Sequence, residues 1–294
     1  MPNQRAKPTF RRRRLGSFLK ALRRRVPAGP DGLTVEAAAA LMGWQHSKLS
    51  NIENARAHLP AKDVAPLLKV YGVEDPELVS ALEALTKDSG KQGWSALYED
   101  DIPPGYQDYI DLESDATSLR TYDPSVLHGL LQTGPYAKEV ISSVAIARTQ
   151  REINRLAEVR KARQSILTDP EKPLQLWAVI HESVLMQRFV GHPTLMREQT
   201  RQLLDLAELP NVTIQVMPLT ATPHPGMMGA FDVFEFPKPW PTVVNLETLR
   251  GGVFVEDPDE ATAYATAFER VVATALPVDD SRELMKNRME GIPS

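Results

Sequence analysis

The stretch LMGWQHSKLSNIEN, Leu41 to Asn54, decides how the N-terminal part of this chain is read. Ahead of it, Thr34 precedes Val35-Glu-Ala-Ala-Ala-Ala-Leu-Met42, a run rich in the best helix former with a hydroxyl placed to cap it. Gly43 ends that helix, because glycine tolerates the positive φ on which helices commonly stop. A second short helix is predicted from about Gln45 to Asn54, with Leu49 and Ile52 pointing inward. Two short helices joined by a tight glycine turn form a device that lays its second helix in the major groove of DNA. On that helix Gln45, His46, Ser47, Ser50 and Asn51 carry donors and acceptors for base edges, and an asparagine can pair with both groups of one adenine edge. Lys48, Arg56 and His58 suit phosphates, which fix position without carrying sequence information. A helix pair of this kind also occurs as plain scaffold, and the charge around it weighs against that reading.

Residues 1–72 hold 14 Lys and Arg against 4 Asp and Glu, a net of +10, in a 294-residue chain whose overall net charge is −4. Residues 73–294 hold 20 basic and 34 acidic residues, a net of −14. Such asymmetry points to a basic module for a polyanion attached to an acidic body. The first predicted helix, about Phe10 to Val26, puts Leu15, Leu19, Leu22 and Val26 on one face and crowds arginines at both ends. Arg11, Arg12, Arg13 and Arg14 are assigned to the DNA surface. Pro60 to Tyr71 reads as a fourth helix, and Asp75-Pro76-Glu77 starts a fifth.

The polar joint Lys87–Gly93 marks the domain boundary. The division expected is a basic flexible arm over 1–12, a helix-turn-helix domain over 13–88, an α+β regulatory or interaction domain over 94–278 and a frayed tail over 279–294. Beyond the joint the pattern is helical to about residue 168, with a capping box at Thr149-Gln-Arg-Glu152. Strands are expected at Leu174–Ile180, Val212–Met217, Phe231–Phe236, Thr242–Leu246 and Val253–Val255. Helices are expected over Thr194–Leu209 and from Asp257-Pro258 to about Leu276. The fold class is therefore multi-domain: an all-α helix-turn-helix head and a larger α+β C-terminal domain with a mixed β-sheet.

Hydrophobic residues make up 42% of the chain, enough for a core in each part. The absence of cysteine excludes disulfides, Cys-based zinc sites and thiol catalysis. No apolar run has the length of a membrane span, and no apolar segment follows the basic N-terminus as in a signal peptide, so a cytoplasmic location is expected. His181-Glu182 invites a metalloprotease reading, but that motif needs a second histidine at i+4, where this chain has Leu185. The six histidines show no ligand spacing, and Ser183 lacks the flanking glycines of a nucleophile elbow. No catalytic residue, metal or cofactor is assigned, and the chain is read as a non-enzyme. In Pro223-His-Pro-Gly-Met-Met-Gly229, the adjacent Met227 and Met228 are either core plugs or an adaptable surface for a partner or ligand, with Trp240 as an aromatic neighbour to watch.

Residues 13–72 resemble the Xre, or phage-repressor-type, helix-turn-helix family, on the stretch Leu41–Asn54 with its closing pair Ile52-Glu53. The resemblance implies a five-helix fold, a second helix beginning at Thr34 at the DNA, and base contacts from His46, Ser47 and Asn51. Two positions depart from the family. Ala55 stands where glycine is usual, which puts strain on that turn, and Val35 stands where many members have a glutamine that contacts phosphate. Ser118-Leu-Arg-Thr-Tyr-Asp123, Gly129-Leu-Leu-Gln-Thr133 with Tyr136-Ala137, and Pro225-Gly-Met-Met-Gly-Ala-Phe231 are similar to the C-terminal domain of actinobacterial WhiJ-like, toxin–antitoxin-like regulators of the DUF5753 type. This implies a transcriptional repressor or autoregulator whose C-terminal domain docks a small protein encoded nearby; the alternative is a small-molecule ligand in a C-terminal pocket. One recognition helix reads few base pairs, so a homodimer on a double-stranded DNA operator is expected.

Overall fold

The computed structural model describes residues 10–29, 32–88, 102, 104–144, 149–238, 240–248 and 251–291. The chain divides into two compact units, Met1–Leu97 and Tyr98–Ser294. The arm residues 1–9, the joint beyond residue 88 and the acidic pair Asp100-Asp101 lie outside the described residues.

The first unit contains α1 (Phe10–Arg25), α2 (Val35–Leu41), α3 (His46–Glu53), α4 (Ala61–Val70) and α5 (Pro76–Asp88). Arg11 and Arg12 sit on the opening turn of α1, inside the helix instead of in an arm. Leu19, Leu49, Ile52, Leu67, Leu68 and Leu82 are fully buried, one or two from each of four helices, and this apolar overlap fixes the bundle. α1 passes so close to the end of α3 that a Cβ at Gly16 would run into the Ile52 and Glu53 carbonyl oxygens. Thr34 caps α2 by accepting the Ala37 N–H at 3.2 Å, and Gly43 takes φ +65° beyond its end.

The second unit opens with α6 (Pro104–Asp115) and is built on six strands: β1 (Ser118–Asp123), β2 (Gln175–His181), β3 (Val212–Met217), β4 (Phe231–Glu235), β5 (Val243–Thr248) and β6 (Gly251–Val255). Their order is β3-β2-β1-β4-β5-β6, with β1, β2 and β3 parallel and β4, β5 and β6 joined antiparallel. The helices α7 (Gly134–Val144), α8 (Gln150–Arg163), α9 (Glu182–Leu185), α10 (Leu195–Leu206), α11 (Pro258–Thr274) and α12 (Val278–Glu290) complete it. The all-α head and the α+β unit with a mixed sheet are the architecture that the residue pattern implied.

Alternation along the strands separates two faces. Tyr122, Val179, Met217, Phe231, Val233 and Val244 turn to one side and pack with Phe268 and Val271 of α11. The other face carries Asp232 and Phe234, which meet Tyr109 of α6. The capping box at Thr149 and Glu152 opens α8.

Two elements differ from expectation. The region read as helical to about residue 168 contains β1, the strand at the centre of the sheet. Its polar residues hid it: Arg120 pairs with Glu235 at 2.5 Å, a partner that only the folded sheet supplies. The tail expected over 279–294 is largely α12. It is ordered by burial of Met285 and by the Ser281 hydroxyl, which accepts the Val216 N–H at 2.9 Å. That bond, with Leu276 N–H donating to the Val216 carbonyl at 2.9 Å, satisfies backbone on the open side of the edge strand β3.

Candidate nucleic-acid interface

The helix α3 has one side fixed and one side free. Leu49, Ile52 and Glu53 are buried. At about 100° per residue, the opposite side is formed by Ser47, Ser50, Asn51 and Asn54. Gln45, Ser47 and Asn54 are exposed; Ser50 and Asn51 are half-buried. These residues offer only hydroxyl and amide groups to an incoming duplex, the chemistry of direct base readout.

What fixes the buried side is a charged clamp. Arg23 of α1 donates from Nε and Nη2 to the two Glu53 oxygens at 2.7 and 2.8 Å, and the Tyr71 hydroxyl donates to Glu53 at 3.4 Å. Both charged residues are buried, so the fork-to-fork geometry is what compensates their loss of water. The Glu53 carboxylate and burial together hold the Tyr71 phenol above its ordinary range, burial being the larger cause. Immediately beyond α3, Ala55 takes φ +59° and is buried. It is the single non-glycine residue in that region among those described, so the strained turn expected at this alanine is present.

The flanks of α3 are tied into the unit. Lys48 lies with its ammonium 3.6 Å from the centre of the Trp44 ring and 3.2 Å from the Asp63 carboxylate. It therefore joins the turn, the recognition helix and α4, and its charge is partly neutralised there. His46 Nε2 sits 3.1 Å from the Glu36 carboxylate on α2. The Glu36 carboxyl is held below its ordinary range, first by its own backbone N–H and then by His46 and Thr34. Arg56 and His58 are exposed, as is Thr34; Arg11, Arg12 and Arg13 are half-buried. Arg14 is buried and turns inward, unlike the solvent-facing phosphate contact expected of it. Reading the sequence alone missed Asn54, Trp44 and Asp63. Asn54 stands one helical turn beyond Ser50 and donates its amide to the Ser50 carbonyl at 2.8 Å, and the i, i+4 spacing of Trp44 and Lys48 was the available signal for their contact.

In the second unit, Met227 and Met228 are 64% and 93% exposed, on a 3-10 turn at Pro225–Met228. They are not core plugs. Gly226 beside them is buried hard against Tyr122, where a Cβ would overlap the ring, so the turn is anchored and its methionines are presented. Trp240 is half-buried. His181 ends β2 and its Nδ1 lies 2.7 Å from Ser183 Oγ, while Glu182 accepts from Leu219 N–H and pairs with Arg288 of α12. The Glu182 carboxyl is lowered by these contacts against the opposing effect of burial. Among the described residues, no group of three or more His, Cys, Asp or Glu is placed to hold a metal ion, and no helix is long and apolar enough to cross a membrane.

A polar cluster lies inside this unit. The Tyr109 hydroxyl donates to Asp232 at 3.0 Å and stands 2.7 Å from His128 Nε2, while His128 Nδ1 accepts the Leu130 N–H at 3.3 Å. That pattern assigns the ring a neutral form with its proton on Nε2. Burial pushes the His128 imidazole down to about 4 and holds the Asp123 and Asp232 carboxyls above their usual range. Asn245 donates to Asp232 at 3.1 Å.

Comparison with protein families gives two matches. Residues 14–82 match the model described as a helix-turn-helix domain, and residues 106–287 match the model described as a domain of unknown function, DUF5753. No curated protein and no solved structure matches the chain.

Proposed function

The chain belongs to the DUF5753 family and carries a helix-turn-helix domain ahead of that region, and from this premise we propose that it is a sequence-specific transcriptional regulator of the Xre type, related to the actinobacterial WhiJ-like group. A helix-turn-helix domain supports DNA binding. The finer reading is an antitoxin-like repressor or autoregulator that binds a palindromic operator as a homodimer and docks a small partner protein through its second unit. The observation that carries DNA reading is the outward row Ser47, Ser50, Asn51 and Asn54 on a helix clamped from behind by Arg23 and Glu53, in a segment of net charge +10. Ser47 and Asn51 face the bases, and Arg56 with Arg11, Arg12 and Arg13 of α1 serves the phosphates.

The exposed Met227 and Met228 favour partner docking, since flexible thioethers repack against varied surfaces. A groove between α7 and α8 favours the second reading, a regulator responsive to a small molecule.

The test of the first reading is duplex affinity as a function of salt. With about six phosphates neutralised per protomer, the log–log slope is expected near −5. Footprints should show two half-sites about one DNA turn apart. A shallow slope with a single short, asymmetric footprint would contradict the reading.

A further inference from the structure

We propose that Glu36 is a positioning residue for base reading: it fixes His46 in the state that presents a bare ring nitrogen, so that His46 selects an amino base, adenine or cytosine, in the major groove. His46 is the first residue of α3, at the end of a recognition helix that meets base edges. Its Nε2 lies 3.1 Å from the carboxylate of Glu36, on the opening turn of α2, and both side chains are more than half exposed. A lone pair on Nε2 would be repelled by that carboxylate. The neutral ring therefore carries its proton on Nε2 and leaves Nδ1 as an acceptor, which bonds to none of the described residues. The carboxylate is held in turn: its own backbone N–H, the largest influence, and the Thr34 hydroxyl keep it ionised at the start of α2.

The neighbours of His46 on α3 do not carry one sign. Ser47 and Ser50 donate or accept as the partner requires, Asn51 does both at once, and Lys48 is committed to Trp44 and Asp63. His46 adds a one-signed reader to that row. Its Nδ1 accepts from adenine N6 or cytosine N4, and it meets another lone pair at guanine O6 and N7 or thymine O4.

The inference rests on α3 reading bases, and the test separates the two. Duplexes are selected from a random pool at pH 8, where free imidazole is neutral. The proteins are the full chain, Glu36→Gln, His46→Ala and the double variant Glu36→Gln/His46→Ala, each change lying at an exposed side chain. The wild type should enrich a motif in which one position holds adenine or cytosine on one strand. His46→Ala should lose preference at that position and keep the rest of the motif. Glu36→Gln leaves the ring free to carry its proton on either nitrogen, so guanine and thymine should enter there, with discrimination falling about two- to tenfold. In the double variant the Glu36 change should add nothing at that position. Ring-nitrogen NMR shifts of His46 should show a proton on Nε2 in the wild type and both tautomers in Glu36→Gln. An unaltered motif in Glu36→Gln, bound more tightly whatever the sequence, would make Glu36 only a charge that repels phosphate and would overturn the inference. Guanine or thymine at the His46 position of the wild-type motif, or a wild-type ring protonated on Nδ1, would overturn it as well. A wild-type motif that His46→Ala leaves unchanged removes the inference and leaves DNA reading standing; no motif at all removes both.

Discussion

An arginine–glutamate clamp is buried in each unit, and the two clamps differ in what surrounds them. In the head, Arg23 and Glu53 are buried, Tyr71 donates its hydroxyl to Glu53, and Arg23 also donates to the Leu33 carbonyl. In the second unit, Arg163 meets Glu113 at 2.8 and 2.5 Å and lies 5.2 and 5.0 Å from the centres of the Tyr106 and Tyr109 rings. From Tyr109 the polar contacts continue to His128, Asp232 and Asn245. The head's clamp lies behind α3, and on the opposite side of that helix Ser47 and Asn54 are exposed and Ser50 and Asn51 half-buried. The second unit's clamp begins a polar interior between α6 and the sheet. Surface polarity on a recognition helix declares its use, whereas interior polarity is absorbed in holding the fold, and this is why function is legible in one unit and not in the other.

The contrast breaks most sharply at the clamps. Glu53→Ala should cost about 3–5 kcal/mol, because Arg23 is left buried without its carboxylate. Hydrogen exchange should rise across the α3 amides and duplex binding should fall. Glu113→Ala strands Arg163 in the same way, yet duplex binding should survive. Unchanged exchange in α3 of the first variant would show that Arg23 does not hold the recognition helix.

The second unit should respond to acid through His128. Its folded pKa, about 4, lies below the ordinary 6.5, so unfolding takes up a proton between those values and stability falls as pH drops through that window. The loss should approach about 3 kcal/mol. Asp123 and Asp232 act in the opposite sense, since their raised folded values favour the protonated native state as pH falls. Both carboxyls are kept in His128→Gln, so the difference between variant and wild type isolates the imidazole. Urea midpoints at pH 7, 5.5 and 4 should converge for the two proteins as pH falls; parallel curves would place the histidine's titration elsewhere.

The smallest effect is expected at Ala55→Gly. Relief of the left-handed strain outweighs the added freedom of the unfolded chain, for a gain of about 0.5–1 kcal/mol in the head. A loss of stability would mean that the buried methyl contributes more than the strain costs.

Much of the head could be read from the residues. The Thr34 cap, the Gly43 turn and the inward Leu49 and Ile52 are local signals, and each is where the pattern put it. The strands β2, β3 and β4 announced themselves by apolar runs. Arg23 with Glu53, and Arg163 with Glu113, could not be foreseen, because each pair joins residues 30 or 50 positions apart. β1 was missed for the same physical reason, its inward polar side chains being matched by partners as distant as Glu235. α12 was missed because few of its residues bury apolar surface, and it is held by Ser281, Met285 and the Arg288–Glu182 pair.

The central claim is that the outward side of α3 reads bases. Selection of duplexes from a random pool by the full chain and by its Asn51→Ala variant tests it most directly. The wild type should enrich one defined motif. The variant should lose preference at a single base position, bind the enriched site more weakly by about 1–3 kcal/mol, and melt as the wild type does. Enrichment of the same motif at equal strength by both proteins, or of no motif by the wild type, would contradict the placement of this helix in the groove.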